Sequence, residues 1–333
     1  MKARSITPIA ARAAATLVLL AGAAASLCAD TPQATWDPAT GLATLSEAGK
    51  PILTYHYQTV PIPDGFFDDI PQNQLDYARK YAVPRSNYIH PLFGPEGNEW
   101  TTDWNTDHPH HRGIYWAWPE VVYQGETGDL HALQKVWARP TGKIETQHGD
   151  GWAGLTAENR WMWQDKTPIV RETATIRAWK ADSHGRHIDL VLKFEALEEG
   201  VTLARRGTKA YGGLNIRLAK IRDMKLAHHA DLAEAAPRMA WQFASGTWPG
   251  TTEDPASLVV FEAATNPGYP GDYAEYPDLP WFQPTFPRSG TRHTLDKTKP
   301  LTLRYRLWIR PGPPPGEREL RDQWTLYQKS EKP

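Results

Sequence analysis

Apolar and polar residues alternate with a period of two along several stretches of this chain. Ile188, Leu190, Leu192, Phe194 and Ala196 fall on one face of an extended segment, with Asp189, Lys193 and Glu195 on the other. Leu301, Leu303, Tyr305, Leu307 and Ile309 alternate in the same way with Thr302, Arg304, Arg306 and Arg310. Such a period marks a half-buried antiparallel strand, one face in a core and one outside it. Ile169 to Trp179, Met239 to Phe243 and Leu258 to Ala263 read as shorter versions of the pattern. Earlier, Leu42–Leu45 and Ile52–Tyr57 flank Glu47-Ala48-Gly49-Lys50, a hairpin signal. Residues 61–83 form an irregular insertion holding Pro61, Pro63, Gly65 and Pro71, with a short helix from Gln74 to Tyr81. The last strand breaks at Pro311-Gly312-Pro313-Pro314-Pro315. A terminal helix then spans residues 318–329, with Leu320, Trp324 and Leu326-Tyr327 spaced to dock on a sheet. Many strands, one closing helix and no strand–helix–strand rhythm predict an all-β fold, a large antiparallel β-sandwich with a C-terminal helix.

The N-terminus departs from this pattern. Met1-Lys2-Ala3-Arg4 is positively charged and leads into an apolar run from Ala13 to Leu27 that ends among small residues. That is the plan of a secretory signal peptide over residues 1–29, too short for a comfortable membrane span. The expected location is therefore periplasmic or secreted, with residues 30–333 forming one sandwich domain. Cys28 is the only cysteine, and Ala25-Ser26-Leu27 before it is a poor lipid-attachment signal. The mature chain is thus expected to hold no thiol, which leaves no place for disulfides, thiolate metal ligands or thiol catalysis. No later stretch is long and apolar enough to span a membrane.

Charge and composition narrow the partners. The 37 basic and 38 acidic residues give a formal net charge of −1, which argues against nucleic acid as a partner. No Gly-rich phosphate loop, dinucleotide fingerprint or GxSxG elbow occurs, so no nucleotide cofactor is expected. Fifteen tryptophans are a large excess. Indole rings fill β cores, and they also stack on the apolar faces of sugars.

The densest chemistry lies at Asp107-His108-Pro109-His110-His111-Arg112-Gly113, just before Ile114-Tyr115-Trp116-Ala117-Trp118. If the segment is extended, His108 and His110 share one face and Asp107 and His111 the other; a bend at Pro109 swings them toward one cleft. Histidine serves both as metal ligand and as acid or base near neutral pH. Arg112 is a candidate to stabilise a developing negative charge, and Gly113 to let the backbone approach a ligand. Catalytic candidates are therefore His108, His110, His111 and Arg112. The spacing matches no standard zinc signature, so a divalent metal, with His108, His110 and His111 as first ligands, would have to recruit distant residues such as His90, His131 or Glu172. Metal binding, acid–base chemistry without metal, and structural hydrogen bonding all remain open. Candidate substrate-binding residues are Tyr88 and His90 upstream, Asp107, Trp116 and Trp118 in the cluster, and His131, Asn215 and Arg217 downstream. Glu158 and Glu172 lie on adjacent predicted strands, as structural pairs or as a buried acid. Gly212-Gly213 signals a bulge or a close approach, and His228-His229 reads as exposed loop. Pro280-Trp281-Phe282 is an aromatic loop suited to one wall of a cleft.

Tyr88-Ile89-His90-Pro91-Leu92-Phe93-Gly94-Pro95, the Asp107–Ile114 motif and the strand-to-helix close after Leu301 resemble a family of exported bacterial proteins called PmoA-like, or "methane oxygenase PmoA". The resemblance runs over roughly residues 40–330. It implies an exported protein of bacteria that process complex carbohydrate, with a sandwich similar to the galactose-mutarotase-like supersandwich. It supplies no catalytic residues. The expected function is a carbohydrate-active enzyme, a lyase, hydrolase or sugar-modifying enzyme acting through the His-rich cleft. Its alternatives are a non-catalytic glycan-binding protein and a copper or iron oxidase.

Overall fold

A computed structural model describes residues 31–229, 240–251 and 254–330. The signal peptide expected at residues 1–29, Cys28 included, lies outside the described residues, as does Met239.

Two eight-stranded antiparallel sheets face each other. The first runs, in spatial order, through Gln33–Asp37, Leu42–Glu47, Lys50–His56, Tyr88–Leu92, Ile114–Ala117, Gly213–Arg217, Trp281–Thr285 and Asp272–Tyr276. The second runs through Arg222–His228, Trp241–Thr247, Ala256–Glu262, Leu301–Pro311, Arg186–Ala196, Thr167–Trp179, Trp152–Trp163 and Val136–Gly149. A small four-stranded sheet, Glu120–Tyr123 and Thr202–Ala204 among its strands, sits beside them. The protein is a large antiparallel β-sandwich.

The alternating residues read from the sequence fill the space between the sheets. Ile188, Leu190, Leu192 and Phe194 are buried and pair with the strand carrying Leu301, Leu303, Tyr305 and Leu307. From the first sheet they meet Leu45, Leu53, Ile89, Ile114, Leu214 and Ile216. One polar network interrupts this core. Glu172 accepts hydrogen bonds from Asn87 Nδ2 at 2.6 Å, Trp116 Nε1 at 2.7 Å and Trp161 Nε1 at 2.6 Å. Burial raises the pKa of its carboxyl, and the three donors oppose that rise. Glu172 is thus an interior brace between the sheets, not an acid facing a cleft. Glu158 pairs with Lys143 and Arg171, as a structural carboxylate does.

Two helices accompany the sheets. Helix α1, Gln72–Tyr81, forms inside the expected insertion and begins two residues earlier than its pattern suggests. Helix α2, Glu317–Ser330, covers the outer face of the second sheet. There Leu320 and Tyr327 are buried against Trp241, Val259, Phe261 and Trp308, with Trp324 beside them. Leu326 does not dock and is 55% exposed. Positions 320, 324 and 327 share one face of a helix, and 326 falls off it. His228 and His229 are also not a free loop: His228 lies in a strand and pairs with Glu275 at 2.8 Å, and His229 stacks on Trp241 at 3.9 Å.

Candidate functional site

The outer face of the first sheet, opposite the core, carries the candidate chemistry. Asn215 pairs with Tyr115, and Arg217 with Trp281, so these four side chains share that face with Gln283. Ile89 pairs with Ile114 toward the core, which turns Tyr88 and His90 outward as well. Two loops, residues 101–113 and 129–134, lie over this face.

The histidine segment is a turn, not a strand. His111 N–H bonds to the His108 carbonyl at 2.9 Å, and the bend at Pro109 gathers the imidazoles. Ring centres of His110 and His111 are 4.5 Å apart, and those of His108 and His111 4.8 Å. His131, brought in by the second loop, lies 5.3 Å from His110 and 5.2 Å from His111. Gly113 ends the turn at φ +55°, where an added Cβ would sit 2.1 Å from the Ile89 carbonyl oxygen. Here glycine is required.

Arg85, itself buried, ties the two loops together. Its guanidinium donates to the His110 carbonyl at 2.9 Å and to the Leu130 carbonyl at 2.7 Å, and lies 4.4 Å over the Tyr115 ring. The Tyr115 hydroxyl in turn meets His131 Nε2 at 2.9 Å. Arg217 bonds to Asp107 at 2.8 Å and to the Leu279 carbonyl, and His108 Nδ1 lies 3.3 Å from Asp107. Burial, with the nearby Arg85 charge second, pushes His110 down to about 3. Burial and neighbouring imidazoles take His111 well below its ordinary value, and burial does the same for His131. All three rings are therefore neutral near pH 7. Such weak bases abstract protons poorly, but their lone pairs are free to bind a cation or accept a hydrogen bond. His110, His111 and His131 each offer a ligand atom within 4.8 Å of the others, the one such group among the described residues. The metal-capable set thus contains His131 in place of the expected His108.

Arg112 does not join this group. It is fully buried and turned the other way, ion-paired with Asp103 through Nε and at 3.0 Å through Nη2. Nη2 also donates to the Tyr88 hydroxyl at 2.6 Å, and the guanidinium lies 3.7 Å over the Trp104 ring. Consecutive residues diverge, so His111 and Arg112 serve different clusters. The expected role of Arg112 in stabilising charge at the histidines is not supported by this placement. Tyr88 is likewise enclosed, stacked on His56 at 4.5 Å with its hydroxyl bonded to Asp103 at 3.1 Å. His90 is half-buried, its Nδ1 3.0 Å from Thr101 Oγ1. Trp116 and Trp118 are not sugar platforms. Both are buried in the sandwich, with Trp116 on Glu172 and the Trp118 Nε1–H on the Phe286 carbonyl at 2.7 Å.

Other aromatic side chains frame the histidines. Helix α1 sets Tyr81 4.9 Å from His110 and Tyr77 6.1 Å from His108. Tyr211 lies 4.9 Å from His131, Trp281 lies 4.6 Å from His111, and Tyr276 stacks on Trp281 at 4.7 Å. The i, i+4 spacing of Tyr77 and Tyr81 was a readable signal for a shared helix face, and Trp281 does form a wall, from a strand. Arg85 and Tyr115 had no such signal. A cavity of about 1080 Å³ adjoins the cluster, with Thr101, Asn105, Asp107 and Arg217 in its wall. None of the histidines lines it; the Asp107–Arg217 pair is the partition between them.

No curated protein matches the chain. Among solved structures it is similar to a putative kojibiose phosphorylase from the human microbiome, at 11% identity and a TM-score of 0.32. The match covers 65% of this chain and 25% of that one. No helix among the described residues is long and apolar enough to cross a membrane. A family model matches residues 43–325, through both large sheets but for the edge strand Gln33–Asp37, the histidine turn and most of helix α2, and the chain accordingly belongs to DUF6807, a family of unknown function.

Proposed function

We propose that this protein is an exported carbohydrate-active enzyme of the lyase or hydrolase type, working at the outer face of the first sheet. The observation that carries the reading is the convergence there of unpartnered polar atoms inside an aromatic frame. Nδ1 of His110, His111 and His131, Nε of Arg217 and Nε1 of Trp281 are buried without a hydrogen-bond partner among the described residues. Leaving such groups unpaired costs about 1–3 kcal/mol each, so a site that keeps several together is organised for a ligand. A sugar ring offers hydroxyls to satisfy them and apolar faces for Tyr211, Tyr276 and Trp281. The adjoining cavity is large enough for more than one sugar ring. Its Asp107–Arg217 wall places a charged, hydrogen-bonding pair between the cavity and the imidazoles. Burial of the cluster favours chemistry over surface adhesion, since a lectin face needs no enclosed histidines.

The test is a panel of neutral and uronate-bearing oligosaccharides, with products followed by mass spectrometry and by the ultraviolet absorbance of unsaturated sugars. Turnover of at least one class is expected. It should be lost in His111→Ala and Arg217→Ala variants that keep the wild-type circular dichroism spectrum. Saturable binding without product would make the protein a glycan-binding module. Full turnover in both variants would remove the cluster from the mechanism.

A further inference from the structure

We infer that His110, His111 and His131 form a three-histidine site for one first-row divalent transition ion. The inference deepens the reading of this cleft as a catalytic centre by naming the cofactor class it takes. Three features of the geometry support it, and none depends on a sugar.

The first is the donor set. The three imidazoles are buried, come from two separate loops, and present atoms within 4.8 Å of one another. An ion with bonds of about 2.0–2.1 Å to each nitrogen holds the nitrogens about 3.4 Å apart. The rings therefore need to close by at most about 1.4 Å, a ring-rotation-sized change. The second is the state of the nitrogens. Nδ1 of each ring is buried without a hydrogen-bond partner among the described residues, so three unsatisfied ring nitrogens belong to one cluster. A single cation bound at those nitrogens would satisfy all three.

The third is the support behind the ligands. His131 Nε2 meets the Tyr115 hydroxyl at 2.9 Å. A partner on the far nitrogen fixes the ring and its tautomer, the arrangement metal-bound histidines use. Arg85 fixes the backbone of both ligand loops, bonding to the carbonyls of His110 and, at 3.2 Å, His131. Imidazole-only ligation suits zinc, cobalt, nickel and copper better than magnesium or calcium. With no carboxylate among the three ligands, the bound ion keeps its full double charge toward whatever takes the fourth position. His108 is the neighbouring imidazole on that cluster, its side chain 29% exposed.

The experiment is metal binding by the intact protein, with no glycan present. After chelator treatment and dialysis, cobalt(II) and zinc(II) are titrated and followed by calorimetry and by the visible spectrum of the cobalt form. One equivalent should bind, with an intense cobalt spectrum of low coordination number. His131→Ala should lose at least 100-fold in affinity and that spectrum. Tyr115→Phe, which keeps every ligand, should weaken binding by about 10-fold or more. Binding of less than a tenth of an equivalent by wild type overturns the proposal. So does unchanged affinity in His131→Ala, or a spectrum showing only weak, octahedral surface binding. Sugar turnover in a protein that binds no metal would overturn this inference and leave the carbohydrate reading intact. One tight ion with no action on any glycan would do the reverse.

Discussion

Arg112 is where the structure departs furthest from what its neighbourhood in the sequence suggests, and its removal separates two accounts of the site. The guanidinium is fully buried, with Asp103 and the Tyr88 hydroxyl as hydrogen-bond partners and Trp104 beneath it. Arg112→Ala strands the Asp103 carboxylate, whose side chain is only 12% exposed. Removing one partner of such a buried pair costs about 3–5 kcal/mol. In a domain of this size each kcal/mol lowers the melting temperature by about 2 °C, so a fall of about 6–10 °C is expected. Replacing both partners, as Arg112→Met with Asp103→Leu, removes the stranded charge. It leaves the Tyr88 hydroxyl unpaired, at about 1–3 kcal/mol. The double variant should therefore melt above Arg112→Met alone, the non-additivity expected of residues in contact. Differential scanning calorimetry of the two single variants and the double one reads this. An Arg112→Ala protein that melts within 1 °C of wild type (about 0.5 kcal/mol or less) and has lost sugar turnover would refute the reasoning and return Arg112 to the chemistry.

Other predictions concern the scaffold around the site. Gly113→Ala should destabilise by at least about 1–3 kcal/mol in urea melts, because φ +55° and a Cβ 2.1 Å from the Ile89 oxygen cannot both be accommodated; a neutral result would mean the histidine turn is not held as described. Glu172→Ala leaves the Asn87, Trp116 and Trp161 donors without their acceptor and should cost roughly 3 kcal/mol or more, with a change in near-ultraviolet circular dichroism from the two indoles. Burial holds His90 and His187 at about 4 in the folded protein, below their unfolded value of about 6.5. The unfolded chain thus binds more protons at intermediate pH, so stability is complete above about pH 6.5 and falls toward pH 4, by up to about 1.4 kcal/mol per pH unit for each group. His187→Gln should flatten that slope by about one group's worth between pH 6 and 5, and parallel slopes for the two proteins would contradict it.

The strands that could be read from the sequence are those with water, or a polar layer, on one side. Residues 188–196 and 301–309 alternate because their outward faces carry charge, and the structure puts the apolar members between the sheets. Ile114–Ala117 has no such alternation, since all four residues are buried. This strand lies under the histidine loops on one face and against the core on the other, so nothing in its pattern tells Tyr115 from Trp116. The choice of Trp116 and Trp118 as sugar platforms failed for that reason. Density of titratable residues marked a segment whose imidazoles do gather, and the bend at Pro109 was legible as a means of that convergence. The recruitment of His131 was legible only as a position shortly after the cluster, because the Asp129–Gln134 loop closes on its own backbone bonds but is placed by Arg85, which is distant in sequence.

The division between His111 and Arg112 explains how one short segment serves both stability and chemistry. Arg85 already sets one buried charge beside the imidazoles, so a second from Arg112 would raise further the cost of placing a cation there. Turning Arg112 toward Asp103 neutralises it within its own pair and anchors residues 101–113 to the sheet through Tyr88. The anchor is next in sequence to a ligand, so the position of His111 is set by an ion pair that takes no part in binding. Arg85 does the same from the other side, through the carbonyls of His110 and Leu130. The imidazoles are thus held by Arg85 through two backbone carbonyls and by Arg112 through its side-chain ion pair, while their Nδ1 atoms stay unpartnered. Loss of either arginine should then disturb the site through geometry, lowering melting temperature and metal affinity together, whereas loss of His131 should lower metal affinity far more than stability.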